Sequence, residues 1–330
     1  MCMPVPIGMA GQRGLVLAAA LIVLAASVGV AIWLIWAPGR PVLTVFHAGS
    51  LTVPFEHLAQ EFEERYGVEV HLEAYGSVTA VRQVVELGRT CDVIAVADYK
   101  LIPKLMWPQH ADWCIVFATN EVVIAYTEAS LYADEVGADS WPDVLCREGV
   151  RVGRSDPTQD PCGYRALLVL RLAEAYYNAS GLYERLLSKP EQVIRPKSHD
   201  LVALLQAGQL DYAFLYKSVA MQYELKFVDL PPEIDLGHPE YADLYATASI
   251  YVEGLGEVRG EPIAYGITIP KCAERADLAL KFVKLLLGDV GASIFEACGQ
   301  NPIRPALALG YEHIPSALRA YVVEWEHETP

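Results

Sequence analysis

The sequence predicts an α/β protein with two lobes. Strand and helix patterns alternate along most of the chain, and two long strand patterns lie far apart in sequence. The 330 residues, of which 53% are hydrophobic, are enough for two cores. Strands that cross between two lobes would join them and leave a cleft, so we expect a ligand site between the lobes.

The net charge narrows the class of ligand. A formal charge of −16 makes nucleic acid an unsuitable partner, because the sequence has no basic stripe to neutralise phosphates. A small anion remains suitable, since backbone and hydroxyl donors in a pocket poor in water can bind one whatever the global charge.

The N-terminal segment predicts a membrane anchor. Gly14 to Ala37 carries no charge and is rich in Leu, Ala, Val and Ile, which is long enough to span a bilayer. A cleaved signal peptide usually has a shorter apolar core, of about 7–15 residues. We therefore expect an uncleaved signal-anchor and stalk over residues 1–41, with a single pass through the cell membrane and the binding domain extracellular.

Six cysteines follow the predicted anchor, and an even number outside the membrane permits disulfides. Cys272 and Cys298 bracket an amphipathic helical pattern and can pair, although connectivity cannot be deduced from sequence. No CxxC or CxxH spacing occurs among the six and the histidines are scattered, so a structural zinc site has little support.

The run from Val42 to Leu51 is the first strand–turn–helix unit: an apolar β-branched stretch breaks into a small-residue turn before a helical pattern. At a helix start, backbone N–H groups lack internal partners and the helix dipole adds partial positive charge. A small anion can therefore bind there without Lys or Arg. Ser50 would add a hydroxyl donor. The alternative is that Ser50 only caps the helix.

The same unit recurs twice. The strand pattern Val68 to Ala74 turns at Tyr75-Gly76-Ser77 into the helical pattern Val78 to Leu87, and the strand Cys91 to Val96 ends at Ala97-Asp98 before another helix. Three such junctions predict a parallel sheet whose strand ends share one edge. Ligands of open sheets bind at that edge.

The two long strand patterns, Trp113 to Tyr126 and Pro262 to Pro270, fit crossings between lobes. The chain from Ala273 to Cys298 and onward is expected to return to the first lobe as helices. We therefore predict lobe 1 over residues 42–126 plus 263–330 and lobe 2 over residues 127–262. The patterns within lobe 2 are a strand Val150–Gly153, a turn Ser155–Gly163, helices Tyr164–Ala179 and Leu201–Ala207, a strand Leu210–Leu215 and a turn Tyr216–Ala220.

Several motifs together resemble the archaeal-type molybdate/tungstate-binding proteins of ABC transporters. The resemblance covers Val42 to Ala306 and keeps the motifs in the order of that family. The motifs are FHAGSLTVPFEHLAQEFEERYG, AYGS, CDVIAVAD, DPCGYRALL, DYAFLYKSVA and GQNPIRPAL.

The resemblance implies a periplasmic-binding-protein fold of the second type, which closes like a hinged clamp over a tetrahedral oxyanion and delivers it to an ABC permease. It implies a monomer that is not an enzyme and has no cofactor beyond its ligand, tungstate or molybdate. Mapped by motif, the implied ligand contacts are Ser50, Ser77, Ala97, Asp160 and Tyr216, with Asp160 bound to the tungsten or molybdenum centre itself.

This chain departs from the family at one position. In the family, an acidic residue often precedes the tyrosine of the YKSVA phrase. Together with the aspartate of DPCGY, it completes a six-coordinate shell around the metal. In this chain Leu215 stands where the family has that acidic residue. Glu224 is the nearest acid downstream, but it lies beyond the motif. The structural alternatives are that Asp160 before Pro161 only caps a helix, that Ser77 is another cap and that Tyr216 is a core aromatic residue.

Three rival functions remain open. A binding protein for sulfate or phosphate would use the same donors. A membrane-anchored serine hydrolase would use Ser50 or Ser77, but neither lies in a GxSxG motif. A membrane-tethered sensor ectodomain is the third. In the oxyanion hypothesis no basic side chain contacts the ligand, so neutralising Arg165 or Lys217 is expected to leave affinity nearly unchanged.

Overall fold

A computed structural model of the chain describes Ile22 and residues 40–325. The predicted anchor, Gly14 to Ala37, lies outside the described residues apart from Ile22. Among the residues that are described, no helix is long and apolar enough to cross a membrane. The described residues from Val42 onward form one compact unit.

The strands of this unit form a seven-stranded sheet, a five-stranded sheet and a two-stranded hairpin. In chain order they are β1 Val42–Ala48, β2 Glu69–Tyr75, β3 Val93–Val96, β4 Cys114–Asn120, β5 Val122–Tyr126, β6 Val152–Ser155, β7 Gln192–Arg195, β8 Tyr212–Tyr216, β9 Lys226–Asp229, β10 Ser249–Val252, β11 Gly256–Arg259, β12 Ile263–Thr268, β13 Asn301–Leu309 and β14 Val322–Glu324.

Helices connect these strands and cover the sheets. The α-helices are α1 Thr52–Tyr66, α2 Ser77–Val85, α3 Leu101–Met106, α4 Trp141–Cys146, α5 Pro161–Tyr176, α6 Leu182–Leu187, α7 Asp200–Gln206, α8 Lys217–Gln222, α9 Ala242–Tyr245, α10 Ala276–Leu287 and α11 Asp289–Ala297. Short 3₁₀ helices lie at Gly49–Leu51, Pro239–Tyr241, Tyr311–His313 and Arg319–Tyr321.

The seven-stranded sheet has the order β14-β13-β4-β12-β3-β1-β2. Strand β1 pairs in parallel with both β2 and β3, as the three strand–turn–helix units predict. The carboxyl ends of these three strands, Ala48, Tyr75 and Val96, therefore lie along one edge of the sheet. Strand β12 arrives from far along the chain and pairs antiparallel with β3 and β4.

Aromatic packing holds helices against this sheet. The Phe55 ring on α1 lies 5.8 Å from that of Phe282 on α10 and 6.3 Å from that of Phe295 on α11, measured between centroids. All three rings are buried. Burying an aromatic side chain of this size contributes about 1.5–3 kcal/mol, so this cluster fixes α1 and the turn before it against the C-terminal helices.

The five-stranded sheet has the order β7-β6-β8-β5-β9. The long strand pattern from Trp113 to Tyr126 divides at Glu121, because β4 pairs in the seven-stranded sheet and β5 pairs with β8 and β9 in this one. One crossing between the sheets is therefore at Glu121. The limits that we predicted for the two lobes remain a prediction. Because β5 belongs to the five-stranded sheet, we propose to place it with the second lobe.

Two expectations about the C-terminal part are wrong. The chain beyond Cys298 does not continue as helices, because Asn301–Leu309 is a strand that pairs antiparallel with β4. Its two prolines cannot sit in a helix interior, and Ala306 and Ala308 are buried with the period of two that a strand requires. Cys272 and Cys298 do not pair, since both thiols are free, and the Cys272 sulfur lies 3.9 Å from the carbonyl oxygen of Cys91.

Candidate functional site

Ser50 lies at the end of β1, in the 3₁₀ turn that precedes α1. Its side chain does not cap that helix: Leu51 is the N-cap residue, and the Ser50 hydroxyl oxygen instead accepts a hydrogen bond of 3.0 Å from the Tyr265 hydroxyl on β12. Tyr265 in turn accepts one of 2.9 Å from the side-chain amide of Asn120. The capping alternative for Ser50 is therefore excluded, and its hydroxyl is oriented by a residue 215 positions away in sequence.

Ser77 is the first residue of α2, and Gly76 rather than Ser77 is the N-cap residue. The buried hydroxyl of Ser77 accepts a hydrogen bond of 2.9 Å from the backbone N–H of Ala97, at the end of β3. The Ala97 carbonyl oxygen accepts a bond of 2.6 Å from Arg165. The backbone N–H and carbonyl groups of Ala97 are thus both hydrogen-bonded, so Ala97 positions the Ser77 hydroxyl and the Arg165 guanidinium.

The turn before α2 meets the turn before α5. The backbone N–H groups of Val78 and Thr79 both donate to the carbonyl oxygen of Gln159, at 3.1 and 3.3 Å. A Cβ atom added to Gly76 would lie only 2.4 Å from that carbonyl oxygen. Glycine is therefore required at position 76 for this close approach, which brings the edges of the two sheets together.

Asp160 is the N-cap residue of α5, with Pro161 at the first helical position. One carboxylate oxygen accepts the Cys162 N–H at 3.4 Å and the other accepts the Ser198 N–H at 2.7 Å. Burial raises the pKa of the Asp160 carboxyl group, while the hydrogen bonds from Ser198 and Cys162 act in the opposite direction. The capping role that we gave as the alternative is real, but it does not account for the bond from Ser198.

Tyr216 ends β8, and its buried hydroxyl oxygen accepts a hydrogen bond of 2.7 Å from the Arg165 guanidinium. Burial raises the pKa of the Tyr216 hydroxyl well above its ordinary value, so the group stays neutral at physiological pH. The same guanidinium lies 3.9 Å from a carboxylate oxygen of Asp98. Arg165 therefore holds Tyr216 and Ala97 in fixed positions, although it was expected to have no influence on binding.

The structure brings the five predicted ligand residues into one buried region. Ser77 bonds to Ala97, and Ala97 connects to Tyr216 through Arg165. The Tyr216 ring contacts that of Tyr265, the partner of Ser50, in a T-shaped arrangement with centroids 6.2 Å apart. Asp160 follows Gln159, which binds the first turn of α2. Hydroxyl groups from both sheets, and the turn that carries Asp160, thus lie where the sheet edges meet.

Three other residues near these motifs do not join the predicted contacts. Leu215 is a buried apolar residue of β8 that pairs with Val123. Glu224 is exposed and follows the end of α8, whereas Tyr216 precedes its start, so Glu224 lies at the far end of that helix. The Lys217 ammonium lies 2.6 Å from a carboxylate oxygen of Glu121 and 2.8 Å from one of Asp229, consistent with its expected separation from the ligand.

Sequence reasoning missed four polar residues that support this region: Tyr265, Asn120, Gln300 and Ser198. Tyr265 had a usable signal, as a hydroxyl-bearing residue inside the apolar strand pattern of β12. Arg165 had one too, as a charged residue in the first, otherwise uncharged turns of a helical pattern. Neither signal identifies its partner, because each partner lies on a distant strand.

Buried hydroxyl, amide and carboxyl groups gathered where two sheets meet are typical of a site for a small polar solute. Residues 43–300 match the family described as bacterial extracellular solute-binding protein, and the chain belongs to that family. It is therefore a solute-binding protein and not an enzyme, as predicted, and the hydrolase alternative is wrong. Solute-binding proteins of this family act outside the cytoplasm, with ABC permeases.

Several curated relatives are similar over most of their length. An uncharacterized solute-binding protein of Petrotoga mobilis is 47% identical over 287 residues, which covers 85% of this chain and 89% of the relative. The molybdate/tungstate-binding protein WtpA of Pyrococcus abyssi is 44% identical over 309 residues, with coverage of 85% and 89%. The protein of the same name from Thermococcus kodakarensis is 42% identical over 310 residues, covering 85% and 87%. The resemblance inferred from the motifs is confirmed.

Solved structures support the fold. The periplasmic molybdate-binding protein of Azotobacter vinelandii superposes with a TM-score of 0.60 at 22% identity, covering 78% of this chain and 98% of that one. The sulfate-binding protein SubI of Mycobacterium tuberculosis gives 0.60 at 13% identity, covering 86% and 90%. The chain therefore has the two-domain periplasmic-binding-protein fold that was predicted.

Proposed function

We propose that this chain captures tungstate or molybdate between its two sheets and delivers it to an ABC permease. Ser50, Ser77, Asp160 and Tyr216 form the proposed site, and Ala97, the fifth predicted residue, positions Ser77 and Arg165 through its backbone groups. Relatives at 42–44% identity named as molybdate/tungstate-binding proteins support the choice of ligand. We further propose that the protein acts as a monomer, tethered outside the cell membrane by residues 14–37.

The observation that carries the proposal is the direction of three hydrogen bonds. The hydroxyl oxygens of Ser50, Ser77 and Tyr216 each accept a bond from another protein group, namely the Tyr265 hydroxyl, the Ala97 N–H and the Arg165 guanidinium. A hydroxyl has one proton to donate, and acceptance leaves that proton available. Three neutral donors held ready in this way suit an anion with several oxygens, and bonds to a charged group contribute about 1.5–3 kcal/mol each.

A carboxylate in the site, that of Asp160, favours an oxyanion whose central atom is a metal. A carboxylate placed 4 Å from a bare dianion costs roughly 4–8 kcal/mol at an effective dielectric of about 20–40. Tungsten and molybdenum can accept a carboxylate oxygen as a ligand, whereas the sulfur of sulfate cannot. Because Leu215 is apolar and Glu224 is exposed at the far end of α8, we expect Asp160 to be the only carboxylate of the shell, with coordination five or with water as a sixth ligand.

The second candidate is a binding protein for sulfate or phosphate. One observation favours it: both oxygens of Asp160 accept backbone N–H bonds, as a carboxylate used only to fix a helix and a loop would do. In that case Asp160 faces its own backbone and contributes nothing to ligand choice. The two candidates predict different selectivity, because only the first uses a bond to the metal centre.

Titration calorimetry of the full-length chain with tungstate, molybdate, sulfate and phosphate separates them. We expect tungstate and molybdate to bind much more tightly than the other two. Ser50→Ala and Ser77→Ala should each reduce affinity for tungstate by about ten-fold to 100-fold, from the loss of one bond to a charged ligand. Ser188→Ala, at an exposed hydroxyl that bonds within its own turn, is the control. Equal affinity for sulfate and tungstate would establish the second candidate.

The proposed anchor needs its own test, because residues 14–37 lie outside the described part of the chain apart from Ile22. If the segment is retained, mass spectrometry of the mature protein finds it attached and the protein partitions with membranes. A mature N-terminus near Arg40 would instead show that the segment is removed after export.

A further inference from the structure

Glu121, Asp235 and His238 form a cluster outside the proposed oxyanion site. Each offers one ligand atom, and the three atoms lie within 4.8 Å of one another. His238 Nε2 lies 3.3 Å from a carboxylate oxygen of Asp235 and 3.8 Å from one of Glu121. Asp235 is buried, whereas the His238 side chain is 36% exposed, so the cluster opens to solvent on the histidine side.

The cluster lies where the chain passes between the two sheets. Glu121 is the residue between β4 and β5, which belong to different sheets. The Asp235 carbonyl oxygen accepts the Val122 N–H at 2.8 Å, and the carbonyl oxygen of the next residue, Leu236, accepts the N–H of Ile263 at the start of β12, also at 2.8 Å. The segment that carries Asp235 is therefore bonded to both crossings between the sheets.

Neighbouring groups orient the ligand atoms toward one point. Asp235 Oδ1 accepts bonds from the Gly237 N–H at 2.7 Å and from the Tyr245 hydroxyl at 3.0 Å, which leaves Oδ2 for His238. Lys217 contacts Oε1 of Glu121, and Oε2 faces the histidine. Metal ligands in proteins are commonly held by second partners of this kind.

The charges around the histidine favour a cation. Lys217 is the basic side chain that contacts the cluster, through Glu121. The carboxylates within 4 Å of Lys217 or His238 are Glu121, Asp229, Asp235 and Glu240. Four carboxylates against one ammonium leave a local excess of negative charge that a divalent cation would neutralise.

We propose that Glu121, Asp235 and His238 bind a divalent transition-metal ion of the zinc type. Zinc takes nitrogen and oxygen ligands at about 2.0–2.2 Å in a tetrahedron, which places neighbouring ligand atoms about 3.3–3.6 Å apart. The Asp235 oxygen, 3.3 Å from His238 Nε2, has this spacing. The Glu121 oxygen, at 3.8 Å, lies slightly outside it, and all three ligand atoms lie within 4.8 Å of one another, so a bound ion would draw them together. Three protein ligands leave a fourth position for water on the exposed side. Magnesium and calcium prefer six or more oxygen ligands, so an imidazole in the set selects against them.

No pattern in the sequence predicts this site. Cysteine spacing provides no zinc motif, and Glu121 lies more than a hundred positions before Asp235 and His238 in the printed sequence. The fold brings them together because the two crossings between the sheets run side by side. The proposal is independent of which oxyanion the chain binds.

Calorimetric titration of the full-length chain, prepared without a histidine tag, tests the site with zinc, magnesium and calcium chlorides at neutral pH. We expect one zinc ion per chain, much weaker magnesium and calcium binding, and a higher thermal unfolding temperature with zinc. His238→Ala and Asp235→Asn should each weaken zinc binding at least ten-fold. His313→Ala is the matched control, because His313 lies 3.4 Å from a single carboxylate, that of Glu312.

Three outcomes would overturn the proposal. The first is the absence of stoichiometric zinc binding to the parent chain. The second is unchanged zinc affinity in His238→Ala, with circular dichroism showing that the variant is folded. The third is calcium or magnesium binding as tight as that of zinc, which would indicate diffuse attraction to acidic side chains. If Asp235→Asn fails to fold, Glu121→Gln, at a half-buried position, provides the second variant.

Discussion

Arg165 donates a hydrogen bond of 2.7 Å to the Tyr216 hydroxyl and one of 2.6 Å to the Ala97 carbonyl oxygen, so one buried guanidinium connects two strand ends from different sheets. Ala97 follows β3 of the seven-stranded sheet, and Tyr216 ends β8 of the five-stranded sheet. If Tyr216 donates to the ligand as proposed, Arg165 influences binding through it, because the bond from Arg165 sets the direction in which the Tyr216 hydroxyl donates.

The first prediction concerns this guanidinium. Arg165→Lys should lower tungstate affinity about ten-fold or more. One terminal nitrogen of the guanidinium donates both bonds, and the ammonium of the shorter lysine side chain ends one bond short of that position. Tyr216→Phe in the Arg165→Lys background should then cost less than it does alone, since the two residues act together. Calorimetry of the single and double variants measures the coupling.

Arg171→Met is the matched control for Arg165→Lys. Arg171 lies on the same helix, but its side chain is 39% exposed and pairs with Glu174. Affinity in this variant should equal that of the parent. Parental affinity in folded Arg165→Lys would instead support the original expectation that no basic residue influences binding.

The second prediction concerns the close approach of the two sheets. In Gly76→Ala the new methyl group would lie 2.4 Å from the Gln159 carbonyl oxygen, so the two turns must separate. We expect at least a ten-fold loss of tungstate affinity and a smaller compaction in solution scattering on ligand addition, because the variant cannot close fully. Gly137→Ala is the control, since its nearest neighbour would be the Ser140 hydroxyl at 3.8 Å. Parental compaction in Gly76→Ala would show that this contact is not needed for closure.

The third prediction concerns acid stability. The pKa of His47 is lowered from 6.5 to about 4, mainly by burial. A hydrogen bond with Ala48 opposes this shift, and the neighbouring Lys197 and His199 add to it. Below pH 6.5 the unfolded chain binds a proton that the folded chain does not. This histidine therefore reduces the free energy of unfolding as pH falls from about 6.5 to 4, by up to about 1.4 kcal/mol per pH unit.

His47→Gln should remove the contribution of His47 to the pH dependence of the free energy of unfolding, because glutamine does not titrate. Denaturant unfolding at several pH values between 4 and 7 measures the difference between variant and parent, which cancels the contribution of other groups. His57→Gln, at an exposed position on α1, should leave the parental slope. A slope in His47→Gln identical to that of the parent would refute the assignment.

The sequence predicted the parts of the fold that depend on local order. The three strand–turn–helix units placed Ser50, Ser77 and Ala97 at strand ends because parallel strands share an edge. It did not predict that Tyr265 would orient Ser50, because 215 residues separate them and an apolar strand pattern does not specify its neighbours. The strand β13 was missed for a related reason: its prolines exclude a helix, but it is a strand because it pairs with β4 and β14, which lie far from it or after it in sequence.

The last prediction concerns Asp160 and tests the choice between the two candidate ligands. If its carboxylate binds the metal centre, Asp160→Ala should lose far more affinity for tungstate than for sulfate. If Asp160 is only a helix cap, the variant should lose about 0.5–2 kcal/mol of stability and keep its ligand preference. Calorimetry with both anions and thermal unfolding separate the two roles.

Asp143→Ala controls for the loss of an acidic residue near a helix start, since Asp143 is exposed in the first turn of α4, away from the proposed site. X-ray absorption on the tungstate-loaded parent supplies the independent measurement. A coordination number of five or six supports a bond from Asp160, whereas four oxo ligands alone would show that the ion stays tetrahedral. In that case the bonds from Cys162 and Ser198 give the whole role of Asp160, and the sulfate or phosphate candidate is favoured.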